Sequence, residues 1–164
     1  MNAHLLHNDL SDVCVRVETY DQIIEDIKKL LPQHWEEIAL YKDEIALAPD
    51  YELYKRMHEM GMLVIYAVRK ALSDELVGYA LYVVRPHLHY SLNRWAQSDI
   101  FWIAPQYRRF GIGRALFTFI ESDMKEHGVD VMHTNVKVEH PAAALVLETL
   151  GHAKIEYGYS KRLV

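Results

Sequence analysis

The run Arg108-Arg109-Phe110-Gly111-Ile112-Gly113 is the part of this chain whose residue types and spacing most directly prescribe chemistry. Its glycines let the backbone turn sharply between a strand and a helix. Such a turn aims successive N–H groups into one concavity at the helix start, a nest that suits an anion. Arg108, Arg109 and Arg114 add three guanidinium groups around the turn, which a phosphate would explain. Two common phosphate loops are excluded. No Gly-Lys-Ser/Thr follows, and Leu116 stands where a dinucleotide fingerprint has its third glycine.

Other candidates are scattered. His87 and His89 share a face by their i, i+2 spacing, Tyr90 adjoins them, and imidazoles titrate near neutrality. A metal reading of the pair lacks a carboxylate or thiol at a supporting spacing. Single Cys14 cannot form an internal disulfide and has no metal-ligand neighbours, so it reads as a buried thiol. Trp35 beside Glu36 and Glu37 would offer an ammonium an aromatic face and carboxylates.

The elements that must position these groups follow from periodicity. Val13, Val15 and Val17 alternate as a half-buried strand. Behind Asp21 as N-cap, Ile23, Ile24, Ile27, Leu30 and Leu31 recur at helical spacing, and Pro32 closes that helix. Residues 33–41 and 50–60 read as two further helices, the last ended by Gly61. The apolar runs 62–68 and 76–84 read as paired central strands, and residues 86–97 as a polar loop. A strand over 99–103 is stopped by Pro105, and the glycine turn then opens a helix that Gly128 ends. A strand over 131–138 and a helix from His140-Pro141 to Gly151 come next; the tail, 154–163, has strand composition. This order predicts an α/β chain with one mixed sheet, helices on both faces, and a single domain over residues 1–164.

Composition agrees. With 164 residues, 51% hydrophobic and 25% charged, the chain can bury a sizeable core and is not disordered. Ten acids and five bases between Tyr20 and Met60 carry the whole net charge of −5, and no element gathers Lys and Arg. Nucleic acid is therefore not an expected partner, because such affinity rests on cationic clusters. No apolar run reaches membrane-spanning length and the first twelve residues are polar, so a cytoplasmic protein without membrane contact is expected.

The loop resembles the Q/R-x-x-G-x-G/A acetyl-CoA loop of the GNAT superfamily of acetyltransferases, and Arg108 through Gly113 matches it completely. The lead-in, Phe101 through Tyr107, resembles the family's apolar strand, Pro and aromatic. His140, Ala143, Leu147, Gly151 and His152 fall at the spacings of N-x-x-A-x-x-x-Y-x-x-x-G-F, with three side chains changed. The runs His34 to Ile38 and Arg85 to Tyr90 are similar to acetyltransferases encoded by tailed phages and prophages.

The resemblance implies a GNAT-like acyl-CoA N-acyltransferase fold. It implies an enzyme moving an acetyl group from acetyl-CoA to a primary amine, by direct attack in a ternary complex. The cofactor would lie across a splayed strand pair, its diphosphate on N–H groups from Arg109 to Arg114 and its pantetheine along Phe101, Trp102 and Ile103. Leu147 replaces the family's tyrosine and cannot donate a proton; Asn135 falls where some members place a glutamate and could at most orient a water. The base is then sought in Asp99, expected to share a strand face with Phe101 and Ile103, or in His87 or His89, and the acid in Tyr157 or Tyr159. Trp35, Glu36, Glu37 and Tyr90 would wall the acceptor site, where the acidic helices favour a small cationic amine; a peptide amine and a homodimer stay open. These two replacements also motivate a rival, a non-catalytic CoA-binding or interaction module.

Overall fold

The computed structural model describes residues 4–5, 12–108 and 110–163. Within them six strands form one sheet in chain order: β1 (His4–Leu5), β2 (Val13–Glu18), β3 (Leu63–Lys70), β4 (Leu76–Pro86), β5 (Arg94–Ile103) and β6 (Val131–His133). Pairs are antiparallel up to β5, and β6 joins β5 in parallel. A parallel neighbour needs a crossover. Helix α3 (Ile112–Glu126) supplies it, alongside α1 (Tyr20–Ile38), α2 (Tyr51–Glu59) and α4 (Pro141–Thr149).

Strand alternation divides the sheet into two cores. On one face Ile23 and Ile27 of α1 pack with Ile65, Leu81 and Trp102. On the other, Leu116, Phe117 and Ile120 of α3 and Leu147 of α4 pack with Tyr66, Ala80, Tyr82 and Ala96. Because both faces are covered, β3 and β4 carry unbroken apolar runs. Where α1 meets the sheet, Arg69 forks onto Glu18 at 2.6 and 2.8 Å and reaches Asp26 at 2.9 Å.

Several expectations need correction. Thr19, not Asp21, caps α1, through a capping box with Gln22. Pro32 does not end the helix, which runs on to Ile38 and merges two expected helices. A helical proline costs roughly 3 kcal/mol, but the turns beyond it bury His34 against Tyr79 and Trp102. Strand β5 starts at Arg94 rather than at residue 99, because the small residues Ala96 and Ser98 are buried sheet positions that composition reads as loop. Strand β6 ends at His133, and residues 152–163 form no strand. Cys14 is half-buried on β2 rather than enclosed.

Candidate active site

The glycine turn is built as its sequence suggests. After β5, residues Pro105–Tyr107 form a 3₁₀ turn, and Phe110 and Gly111 then adopt positive φ of 58° and 79°. The step from Gly111 into Ile112, left-handed into right-handed, turns consecutive N–H groups the same way. Gly111 is the N-cap of α3, and among the described residues no side chain caps the N–H groups at that helix start. They remain available to an anion and carry the positive end of the helix dipole. A Cβ on Gly113 would meet only Ile103 Cδ1, at 3.9 Å, so the absent side chain leaves room rather than relieving a clash.

Beside the turn the sheet parts. The β5–β6 ladder holds only Trp95↔Val131, Ala96↔Met132 and Gln97↔His133, whereas β5 continues to Ile103. Asn135 N–H, donating to Ser98 Oγ at 2.8 Å, closes the paired portion. Ala104 N–H donates to Val77 O, which turns Ala104 toward β4; by strand alternation Phe101 and Ile103 present their amides to the opposite, open edge. Gly78 opposite them must be glycine, since a Cβ there would come 2.9 Å from Trp102 O.

The open stretch begins at a bulge. Leu81 pairs with Ile100 and Tyr82 with Ser98, so Asp99 is the extra residue. The irregularity corrects the expected parity. Phe101 and Ile103 pack on the α3 side, while Asp99 turns to the α1–α2 side, where the Tyr54 hydroxyl of α2 donates to its Oδ2 at 2.6 Å. Burial and the carboxylate push the Tyr54 phenol above its ordinary value, so it stays protonated. Nothing in the local pattern of α2 marks Tyr54.

Arg108 does not face the concavity. Its guanidinium grips Glu37 of α1 at 2.5 and 2.6 Å, and its Nε donates to Ile103 O at 2.7 Å, occupying one acceptor of the open edge. Glu37 also accepts from the Trp102 indole at 2.9 Å. Arg108 holds the Glu37 carboxyl below the usual carboxylate range despite partial burial. Both residues thus leave the roles expected of them, phosphate binding and acceptor binding, because each neutralises the other. Beneath them His34 stacks on Trp102, and its Nδ1 lies 2.7 Å from the Tyr79 hydroxyl. Burial lowers its pKa to about 4. Its Nε2 is buried without a partner among the described residues.

The remaining candidates are dispersed. Phe110 is exposed, Arg114 lies exposed on the first turn of α3, and Arg109 falls outside the described residues. His87 packs on Trp95 at 4.0 Å and on Tyr90 at 4.9 Å, with His89 adjoining. Partial burial, with His89 nearby, holds the His87 imidazole below its ordinary value. Trp95 precedes Asp99 by four positions, about 13 Å of extended chain, so this cluster stands apart from the open edge. Tyr157 and Tyr159 are exposed on the irregular tail, Tyr157 against Lys154. Asn135 lies at the parting of the strands with its side chain exposed. Glu36 is exposed and paired with Lys42 at 3.0 Å. Among the described residues no cluster could hold a metal ion, and no helix is long and apolar enough to cross a membrane.

A cavity of about 550 Å³ opens on the Tyr54 side of β5, between α1, α2 and the loop joining them. Trp35, Tyr54 and Ile100 are in its wall.

Residues 21–152 match the model of the acetyltransferase (GNAT) family. No curated protein matches the sequence. Among solved structures, a ribosomal-protein-alanine N-acetyltransferase from Brucella melitensis biovar Abortus superposes with a TM-score of 0.68 at 17% identity, covering 93% of this chain and 99% of that one. An aminoglycoside acetyltransferase from an uncultured soil metagenomic sample, in complex with sisomicin, gives 0.68 at 13% identity, covering 92% and 97%. Glucosamine-6-phosphate N-acetyltransferase from Arabidopsis thaliana gives 0.65 at 13% identity, covering 93% and 99%.

Proposed function

Because this chain belongs to the acetyltransferase (GNAT) family, we propose that it acetylates a primary amine from acetyl-CoA by direct attack in a ternary complex. The observation that carries this reading is the juxtaposition of an open strand edge, Asp99–Ile103, with an uncapped helix start at Gly111. Acetyl-CoA, when bound, supplies an acetyl group activated as a thioester. The N–H groups at the start of α3 would hold its diphosphate, with Arg114 at the rim. The free amides of Phe101 and the Ile103 N–H would pair with the pantetheine arm, and an N–H of that edge would polarise the acetyl carbonyl, a contact typically worth about 3 kcal/mol of barrier.

Asp99 is the base in this reading, with Tyr54 fixing its carboxylate beside the cavity that would admit the amine. Asp99 takes the proton from the incoming ammonium, so that a neutral nitrogen attacks. The C–N bond forms as the C–S bond breaks, and coenzyme A departs as the thiolate, which is protonated by the second proton that the nitrogen sheds on becoming an amide. Release of free thiol from acetyl-CoA, measured with a panel of amines, tests the assignment. Release that depends on an added amine is expected; a protein that binds acetyl-CoA and releases none with any amine would contradict it.

A further inference from the structure

We propose that the acceptor is a primary amine on an apolar, aromatic-sized body rather than a polycation or an aminosugar. This rests on the transferase reading above. The composition of α1 and α2 suggests the reverse, but the five acids of α1 have other partners, and Glu52 and Glu59 of α2 do not line the cavity. Glu36 pairs with Lys42, Asp21 with Lys55, Glu25 with Lys28, Asp26 with Lys29 and Arg69, and Glu37 with Arg108. None of them lines the cavity.

What does line it is apolar: Ile24, Ile27, Leu31, Leu47, Tyr51 and Tyr54 represent its character. Among the described residues the one formally charged lining side chain is Lys137, a cation that repels a second ammonium. A volume of about 550 Å³ lies in the range of small-ligand pockets. Asp99 adjoins Ile100 of the cavity wall and is bonded to the lining Tyr54 hydroxyl, so a single ammonium can be accommodated and deprotonated at that end. His34 also lines it, neutral and with a buried Nε2 that has no partner among the described residues, a hydrogen-bonding group that an occupant could satisfy. An amine with one cationic end and an apolar ring therefore matches the mainly apolar lining of this cavity. A polyhydroxylated or polycationic acceptor would leave its polar groups desolvated and unpaired.

The experiment compares 2-phenylethylamine, spermidine and glucosamine as acceptors, and titrates 2-phenylethylamine calorimetrically into the CoA-saturated protein. The expected kcat/KM for 2-phenylethylamine exceeds the other two by about tenfold or more, in line with the selectivity of apolar pockets. Leu47→Asp, which puts a carboxylate in the half-buried cavity wall, should abolish the binding heat of 2-phenylethylamine, leaving CoA affinity unchanged. Leu47→Met should keep it. Higher kcat/KM for spermidine or glucosamine, or no heat from 2-phenylethylamine with the wild-type protein, would overturn the proposal. Heat without thiol release would uphold the cavity's ligand class and defeat the transfer reading instead.

Discussion

Arg108 and Glu37 join the first residue of the glycine turn to the helix that walls the neighbouring cavity, through two contacts of 2.5 and 2.6 Å. The same guanidinium caps Ile103 O at the end of the open edge. One side chain thus ties three pieces of the site: turn, strand end and α1. A planar fork can do this and an ammonium cannot.

Glu37→Gln should therefore loosen the turn without emptying it. The expected result is a several-fold rise in KM for acetyl-CoA with kcat little changed. The stability loss should be about 1 kcal/mol, a charge-assisted contact discounted for Arg108's exposure. Arg108→Lys should give the same phenotype, read by steady-state kinetics and urea denaturation.

Asp99→Asn removes the proposed proton acceptor while keeping its shape. A kcat reduced by about 100-fold or more is expected, within the usual span of general base effects, with calorimetric acetyl-CoA affinity unchanged. Tyr54→Phe should cost less, because it leaves the carboxylate in place.

His34 gives a pH dependence of stability. Its pKa falls from 6.5 unfolded to about 4 folded, through burial. Between these values the unfolded chain binds the extra proton, so stability rises with pH. The contribution is complete above about pH 6.5 and is lost as the pH falls toward 4. That loss should be on the order of 3 kcal/mol, seen as a lower urea midpoint at pH 4.5 than at pH 7. His34→Phe should flatten that part of the profile.

Arg69 and Glu18 are each 4% exposed and bonded to one another. Glu18→Ala should destabilise the fold by about 3–5 kcal/mol, because it leaves a buried guanidinium short of its partner. Thermal denaturation of the purified variant checks this, and weak expression alone would not suffice.

Much of the fold was legible because its signals are local. The valine alternation of β2, the apolar runs of β3 and β4, and the glycine turn ahead of α3 each declare themselves within a few residues. What stayed hidden depends on tertiary contact. Pro32 reads as a stop until His34 is seen packing on Trp102. Asp99 reads as sharing a face with Phe101 until the bulge shifts the register. Arg108 reads as a phosphate ligand until Glu37, 71 positions away, is found against it. The composition of residues 154–163 promises a strand, yet Ile155, Tyr157 and Tyr159 are exposed on an irregular tail.

The most direct test is a calorimetric titration of acetyl-CoA into the wild-type protein and into Gly113→Val, whose Cβ would meet only Ile103 Cδ1, at 3.9 Å, and whose side chain would stand where the diphosphate is proposed to be held. Saturable one-to-one binding to the wild type is expected, and none detectable to a variant with an unaltered circular dichroism spectrum. Equal affinity in the two proteins would show that the turn at residues 108–113 does not hold the nucleotide.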